Sequence, residues 1–135
     1  MGDVIKWDET CRVGVRELDE AHKGLFDVCN QLIRIVVENR VSEMGGPIVE
    51  KLIDYAERHF QREEELMRLA QYPEVEEHHG AHRALMNDVL LFKSDYIAGN
   101  LDASAVSEFL IKWILHHVKG TDRDYAEQLH AKGIF

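Results

Sequence analysis

The chain has 135 residues, 45% of them hydrophobic and 30% charged, with a formal net charge of −9 at pH 7. That length can bury one core without covalent staples, and the apolar fraction is too high for disorder. The negative balance argues against nucleic acid as a partner, because phosphate backbones would be repelled. No apolar run approaches the length of a membrane span.

The first 18 residues carry Trp7, Val13 and Val15, too apolar a set for a free tail, and are expected to pack as an arm across the body of one domain spanning 1–135. The opening "MGDVIKWDE" has no apolar signal core, and Lys6 stands where a myristoylation site needs Ser or Thr. Cys11 and Cys29 form neither a metal-type CxxC nor a disulfide framework. The expected location is the cytoplasm, with Cys11 a free thiol and Cys29 a small buried hydrophobe.

Four segments then show apolar spacing of three and four, the mark of amphipathic helices. The first runs from about Asp19 to Asn39 with His22, Leu25/Phe26, Cys29, Leu32/Ile33 and Val36 inward. "NRVSEMGGP" breaks it, and Pro47 suits the first turn of a second helix because its missing N–H costs nothing there. That helix runs to about Ala70, with Leu52, Ala56, His59, Glu63 and Leu66/Met67 along one side. "QYP" ends it, since a residue before proline avoids helical geometry.

Pro73 is read as opening the third helix, whose stripe is Val75, His78, His82, Leu85, Val89, Phe92 and Tyr96. "AGNLDAS" closes it, with Asp102 or Ser104 as a candidate cap of the next. The fourth helix presents Val106, Phe109/Leu110, Trp113 and His116/His117. Four helices with short connections imply an all-α fold, an up-down-up-down antiparallel four-helix bundle with the N-terminal arm laid on it.

His22, His59, Glu63, His78 and His82 thus fall on the inward faces of three helices that converge on one axis. Burying so many polar groups without partners would cost several kcal/mol, more than a small domain can spare. A metal removes the difficulty, because imidazole nitrogens and carboxylate oxygens become its ligands. Residues four apart lie one helical turn above each other, so His78 and His82 can chelate one ion. Glu63 has two carboxylate oxygens and can span two ions, which points to a dinuclear site.

The segment "WILHHVKGTDRDY" offers further donors, but periodicity does not choose between His116 and His117. Asp122 lies about 140° from His117 on an ideal helix. A bulge or break at Gly120 would be needed to swing it inward. Glu64, Glu65, Glu74, Glu76 and Glu77 read as solvated faces and helix-start acids, His79 as a surface residue, and His130 has no partner in the sequence.

These segments resemble the hemerythrin family, in its single-domain bacterial form, over nearly the whole chain. "VGVRELDEAHKGLFDVCNQL" is similar to the family's first-helix signature, "HFQREEELM…YPEVEEHHGAH" to its HxxxE and HxxxH segments, and "WILHHVKGTDRDY" to its HxxxxD segment. The resemblance selects His117 and Asp122. It implies two non-haem iron ions, with His78, His82 and His117 on one and His22 and His59 on the other. Glu63, Asp122 and an oxo or hydroxo group would bridge them. Ile114 matches the apolar residue beside the oxygen position, with Trp113 and Phe60 as pocket walls or plain core.

The implied function is reversible dioxygen binding, as carrier, store or local supplier, in a monomer that is not an enzyme and hands oxygen to an oxygen-consuming one. The alternatives are an oxygen or nitric oxide sensor module, or a di-iron enzyme scavenging peroxide or nitric oxide. Ligand type does not exclude zinc or manganese.

Overall fold

The computed structural model describes residues 5–40, 46–99, 103–117 and 125–135. Helix α1 spans Arg16–Val37, α2 Gly46–Leu69, α3 Val75–Ile97 and α4 Ala103–Leu115, followed by a short α5 at Ala126–Ala131. There is no strand among the described residues. Helix α1 packs on α2 and α4, and α2 packs on α3, giving the four-helix bundle that the spacing implied.

Most of the expected inward positions are buried; Val36 and Tyr96 are among those only partly so, Ile35 is buried in addition, and the side chain of Val106 lies outside the described residues. Leu25, Cys29, Leu32, Ile33, Leu52, Ala56, Val89 and Leu110 are buried in one hydrophobic cluster. Removing a side chain such as Leu52 from water contributes about 1.5–3 kcal/mol. A second cluster at the other end joins Val13, Val15, Leu18, Leu66, Met67, Ala70, Tyr72, Tyr125 and Leu129. The histidines fall between the two, a polar layer with apolar packing above and below.

Helices α1 and α2 end alike. At α1, Asn39 is left-handed (φ 58°), its N–H bonds to Val36 O at 3.0 Å, and the Arg40 N–H reaches Ile35 O at 2.8 Å. At α2, Gln71 (φ 57°) and Tyr72 repeat this with Arg68 O and Met67 O at 3.1 and 2.9 Å. Both are Schellman closures that satisfy the last carbonyls. This closure, rather than Pro73 alone, stops α2. Helix α3 consequently starts at Val75, two residues later than expected, with Pro73 and Glu74 in the turn.

Helix α1 starts earlier than Asp19, at Arg16, and Asp19 in its first turn reaches back to the arm. Its buried carboxylate accepts from the Val13 and Gly14 N–H groups at 2.8 and 3.2 Å. The arm is also held by Asn30, whose amide exchanges bonds of 2.9 and 2.7 Å with both backbone groups of Ile5. Gly14 sits at φ +85°, and a Cβ there would lie 2.9 Å from the His130 ring. His130, without a partner in the sequence, donates to Gly14 O at 2.9 Å and so ties α5 to the arm.

The fourth helix departs in two ways. Ser104 is already its second residue and so is not its N-cap, while Asp102 lies outside the described residues. Gly120 and Asp122 lie outside them too, but the backbone already widens to a π-helical turn at His116 and His117.

Candidate metal centre

Each candidate donor is placed by the helix that carries it. His22 comes from the second turn of α1, His59 and Glu63 from the middle of α2, and His78 and His82 from the start of α3. His117 stands just past α4 in the widened turn, where it is fully buried while His116 faces solvent. Packing thus separates the two histidines that periodicity left equivalent. Asp122 has no described position.

Glu63 is the hub. Its Oε1 contacts His59 Nε2 and lies 3.1 Å from His117 Nε2 and 3.6 Å from His22 Nε2. Its Oε2 lies 4.0 Å from His82 Nε2 and accepts a 2.9 Å hydrogen bond from the Tyr125 hydroxyl. Among the described residues two donor groups result, one of His22, His59, Glu63 and His117, the other of Glu63, His78 and His82, each with atoms within 4.8 Å of one another. Ligands about 2 Å from one ion stand at most about 4 Å apart, so each group is near the size of a first coordination shell. All these residues are buried. One carboxylate shared by two imidazole groups is a donor set suited to a pair of first-row metal ions.

His117 stands at the seam. Its Nε2 is 3.1 Å from His59 Nε2, and its ring centroid is 5.4 Å from that of His82. By distance it groups with His22 and His59, although the resemblance pairs it with His78 and His82.

The apolar wall is close. Phe60 stacks on His82 at 4.2 Å and 7°, and meets His117 edge-on at 4.7 Å. Trp113 is buried, lies 6.2 Å from Phe60, and its indole N–H donates to Leu85 O at 2.9 Å, fastening α4 to α3. Ile114 is fully buried in the same cluster. Trp113 therefore has a structural role of its own, joining these two helices.

Two expectations need correction. Glu64 is not on a solvated face: it is 6% exposed, and its oxygens meet His82 Nδ1 at 2.8 Å and His79 Nδ1. His79 is accordingly only half-exposed and bound, not a free surface residue. The reason is the position of Glu64, one turn beyond Phe60 on the edge of α2 that borders α3. The phase of Phe60 and Met67 carried that signal. Nothing in the spacing of the segment "GTDRDY" marks Tyr125 as a partner of the site. Only the return of α5 onto the bundle brings its hydroxyl to Glu63.

A helical bundle with two abutting buried histidine groups sharing a carboxylate is a metal-binding bundle. Known proteins agree. The family described as "Hemerythrin HHE cation binding domain" matches residues 13–129. A myohemerythrin of Theromyzon tessulatum is 31% identical over 124 residues, covering 92% of each chain. A bacteriohemerythrin of Stenotrophomonas maltophilia is 26% identical over 128 residues, 95% of this chain and 83% of that one. A crystal structure of wild-type hemerythrin aligns with 93% of this chain and 98% of its own, at 26% identity and a TM-score of 0.82.

The chain belongs to the hemerythrin family. A hemerythrin domain binds a di-iron centre, and the clustered His and Glu side chains fit that cofactor here. No helix among the described residues is long and apolar enough to cross a membrane.

Proposed function

We propose that this protein binds dioxygen reversibly at its di-iron centre, as a carrier, store or local supplier. The observation that carries the reading is Glu63, whose two oxygens face two imidazole groups across a buried layer. On the family resemblance, and against the closer approach of His117 to His59, His78, His82 and His117 would hold one iron and His22 and His59 the other, with Glu63 and Asp122 between them. That partition would give one iron fewer protein ligands than the other, and so room for dioxygen. A bound ferrous pair would supply the two electrons that reversible dioxygen binding requires.

The rest is the chain's own work. Phe60, Trp113 and Ile114 exclude water from the layer, and in such a low-dielectric place unbalanced charge is costly. The imidazole-rich donor set keeps the site's charge low. Fewer carboxylates also mean less support for highly oxidised iron, which favours binding over oxidation chemistry and argues that the protein is not an enzyme. The finer reading is of a cytoplasmic monomer that passes oxygen to an oxygen-consuming enzyme.

The test is spectroscopic. Protein reconstituted anaerobically with iron should hold two ions per chain, stay colourless when reduced, colour in air and bleach again under vacuum. Colour that persists after oxygen is removed would end the carrier reading.

A further inference from the structure

We propose that Glu64 is a positioning residue for the metal centre, holding His82 by its outer nitrogen so that Nε2 is the donor. The inference rests on the reading of His82 as an iron ligand. Glu64 Oε2 stands 2.8 Å from His82 Nδ1. An ionised carboxylate only accepts, so Nδ1 must carry the proton and the lone pair falls on Nε2. Nε2 is the atom directed at Glu63, 4.0 Å from its Oε2.

Ring contacts restrain the imidazole further, from His78 at 4.5 Å between centroids and from Phe60. Phe60 lies flat against it at 4.2 Å and 7°, which limits tilt, while the bond to Glu64 sets rotation about the side chain. Glu64 is itself fixed. Its Oε1 meets His79 Nδ1, and Arg68 Nη2 approaches the same oxygen at 3.7 Å. A cavity of about 340 Å³ on this flank, lined by Glu57, Gln61, His79 and Arg83 among others, opens toward solvent. Glu64 and His82 both line it.

The chemical consequence concerns charge as well as aim. A carboxylate on the far N–H of a ligating imidazole raises the basicity of the ligating nitrogen. A more basic ligand favours the more highly charged metal, so Glu64 lowers the reduction potential of the iron on its side. It also strengthens iron binding.

Two substitutions separate aim from charge. Glu64→Gln keeps an oxygen that can accept from Nδ1 but loses the charge, whereas Glu64→Ala loses both. In the iron-loaded protein, Glu64→Ala should weaken iron binding roughly 10- to 100-fold in competition with a chelator. Glu64→Gln should weaken it less, yet still move the midpoint potential in the positive direction. Thermal unfolding of the metal-free variants checks the fold, and if Glu64→Ala does not fold, the isosteric Gln variant decides. Wild type with two irons, and both variants equal to it in iron affinity and potential, overturns the role of Glu64 alone. Wild type that takes up no iron overturns the ligand reading and this inference with it.

Discussion

The Tyr125 hydroxyl donates to Glu63 Oε2 at 2.9 Å, and both side chains are completely buried. The bond joins the segment after the fourth helix to the carboxylate at the centre of the donor layer. It leaves Oε1 directed at His22, His59 and His117. Tyr125→Phe removes one oxygen and changes little volume. It leaves a buried carboxylate short of a donor, at a cost of about 1–3 kcal/mol. Chemical denaturation of the metal-free variant should register that loss, and an unchanged midpoint would mean that the bond contributes nothing.

His59→Ala removes the nitrogen that contacts Glu63 Oε1 directly. The iron content should fall from two ions per chain to one, with loss of oxygen-dependent colour. His116→Ala, at an exposed position one residue before His117, should retain both irons. Metal analysis of the two variants side by side tests the assignment, and two irons in the His59 variant would refute it.

Gly14→Ala meets two obstacles at once. The position has φ +85°, and the added methyl would lie 2.9 Å from the His130 ring, which is already bonded to Gly14 O. The expected cost is about 1–3 kcal/mol, read as a lower urea midpoint. An equally stable variant would show that the arm can shift without penalty.

Glu17 and Arg62 join α1 to α2, with the Arg62 Nη2 to Glu17 Oε1 bond at 3.1 Å. The hydrogen bond from Arg62 is the main cause holding the Glu17 carboxyl below its ordinary value of 4.5. Because the folded value is the lower one, this stabilisation is present above about pH 4.5 and fades as pH falls through the folded value. Both side chains are about half-exposed, so the effect stays under about 1 kcal/mol and weakens with salt. Arg62→Gln should make the acid limb of the stability profile shallower, in low salt above all.

Cys29 is fully buried, and burial pushes its thiol up to about 12. Thiolate is the reactive form. At pH 8 the native protein should therefore resist a thiol-specific reagent at Cys29, with reaction following unfolding. Rapid labelling of Cys29 in the folded protein would contradict this packing.

Several features of the site were legible in the sequence because they depend on helical phase, which is local. His22 shares a stripe with Leu25 and Cys29, His59 and Glu63 with Ala56 and Leu52, and His82 with Leu85 and Val89. Once those apolar residues turn inward, the polar ones go with them. The ends of α1 and α2 were legible only roughly, because Asn39 and Gln71 close them through left-handed turns that their residue types do not demand.

What the sequence by itself determined was the set of inward faces: four amphipathic helices with imidazoles and one carboxylate at the same level of a common core. Tertiary structure decided how those groups meet. It buried His117 and left His116 outside, gave one oxygen of Glu63 to each donor group, turned Glu64 toward His79 and His82, and brought Tyr125 and His130 back onto the bundle. Phase along a helix follows from residue spacing, but these contacts depend on how neighbouring helices are rotated and which side chains fill the gap between them. No residue specifies that about itself.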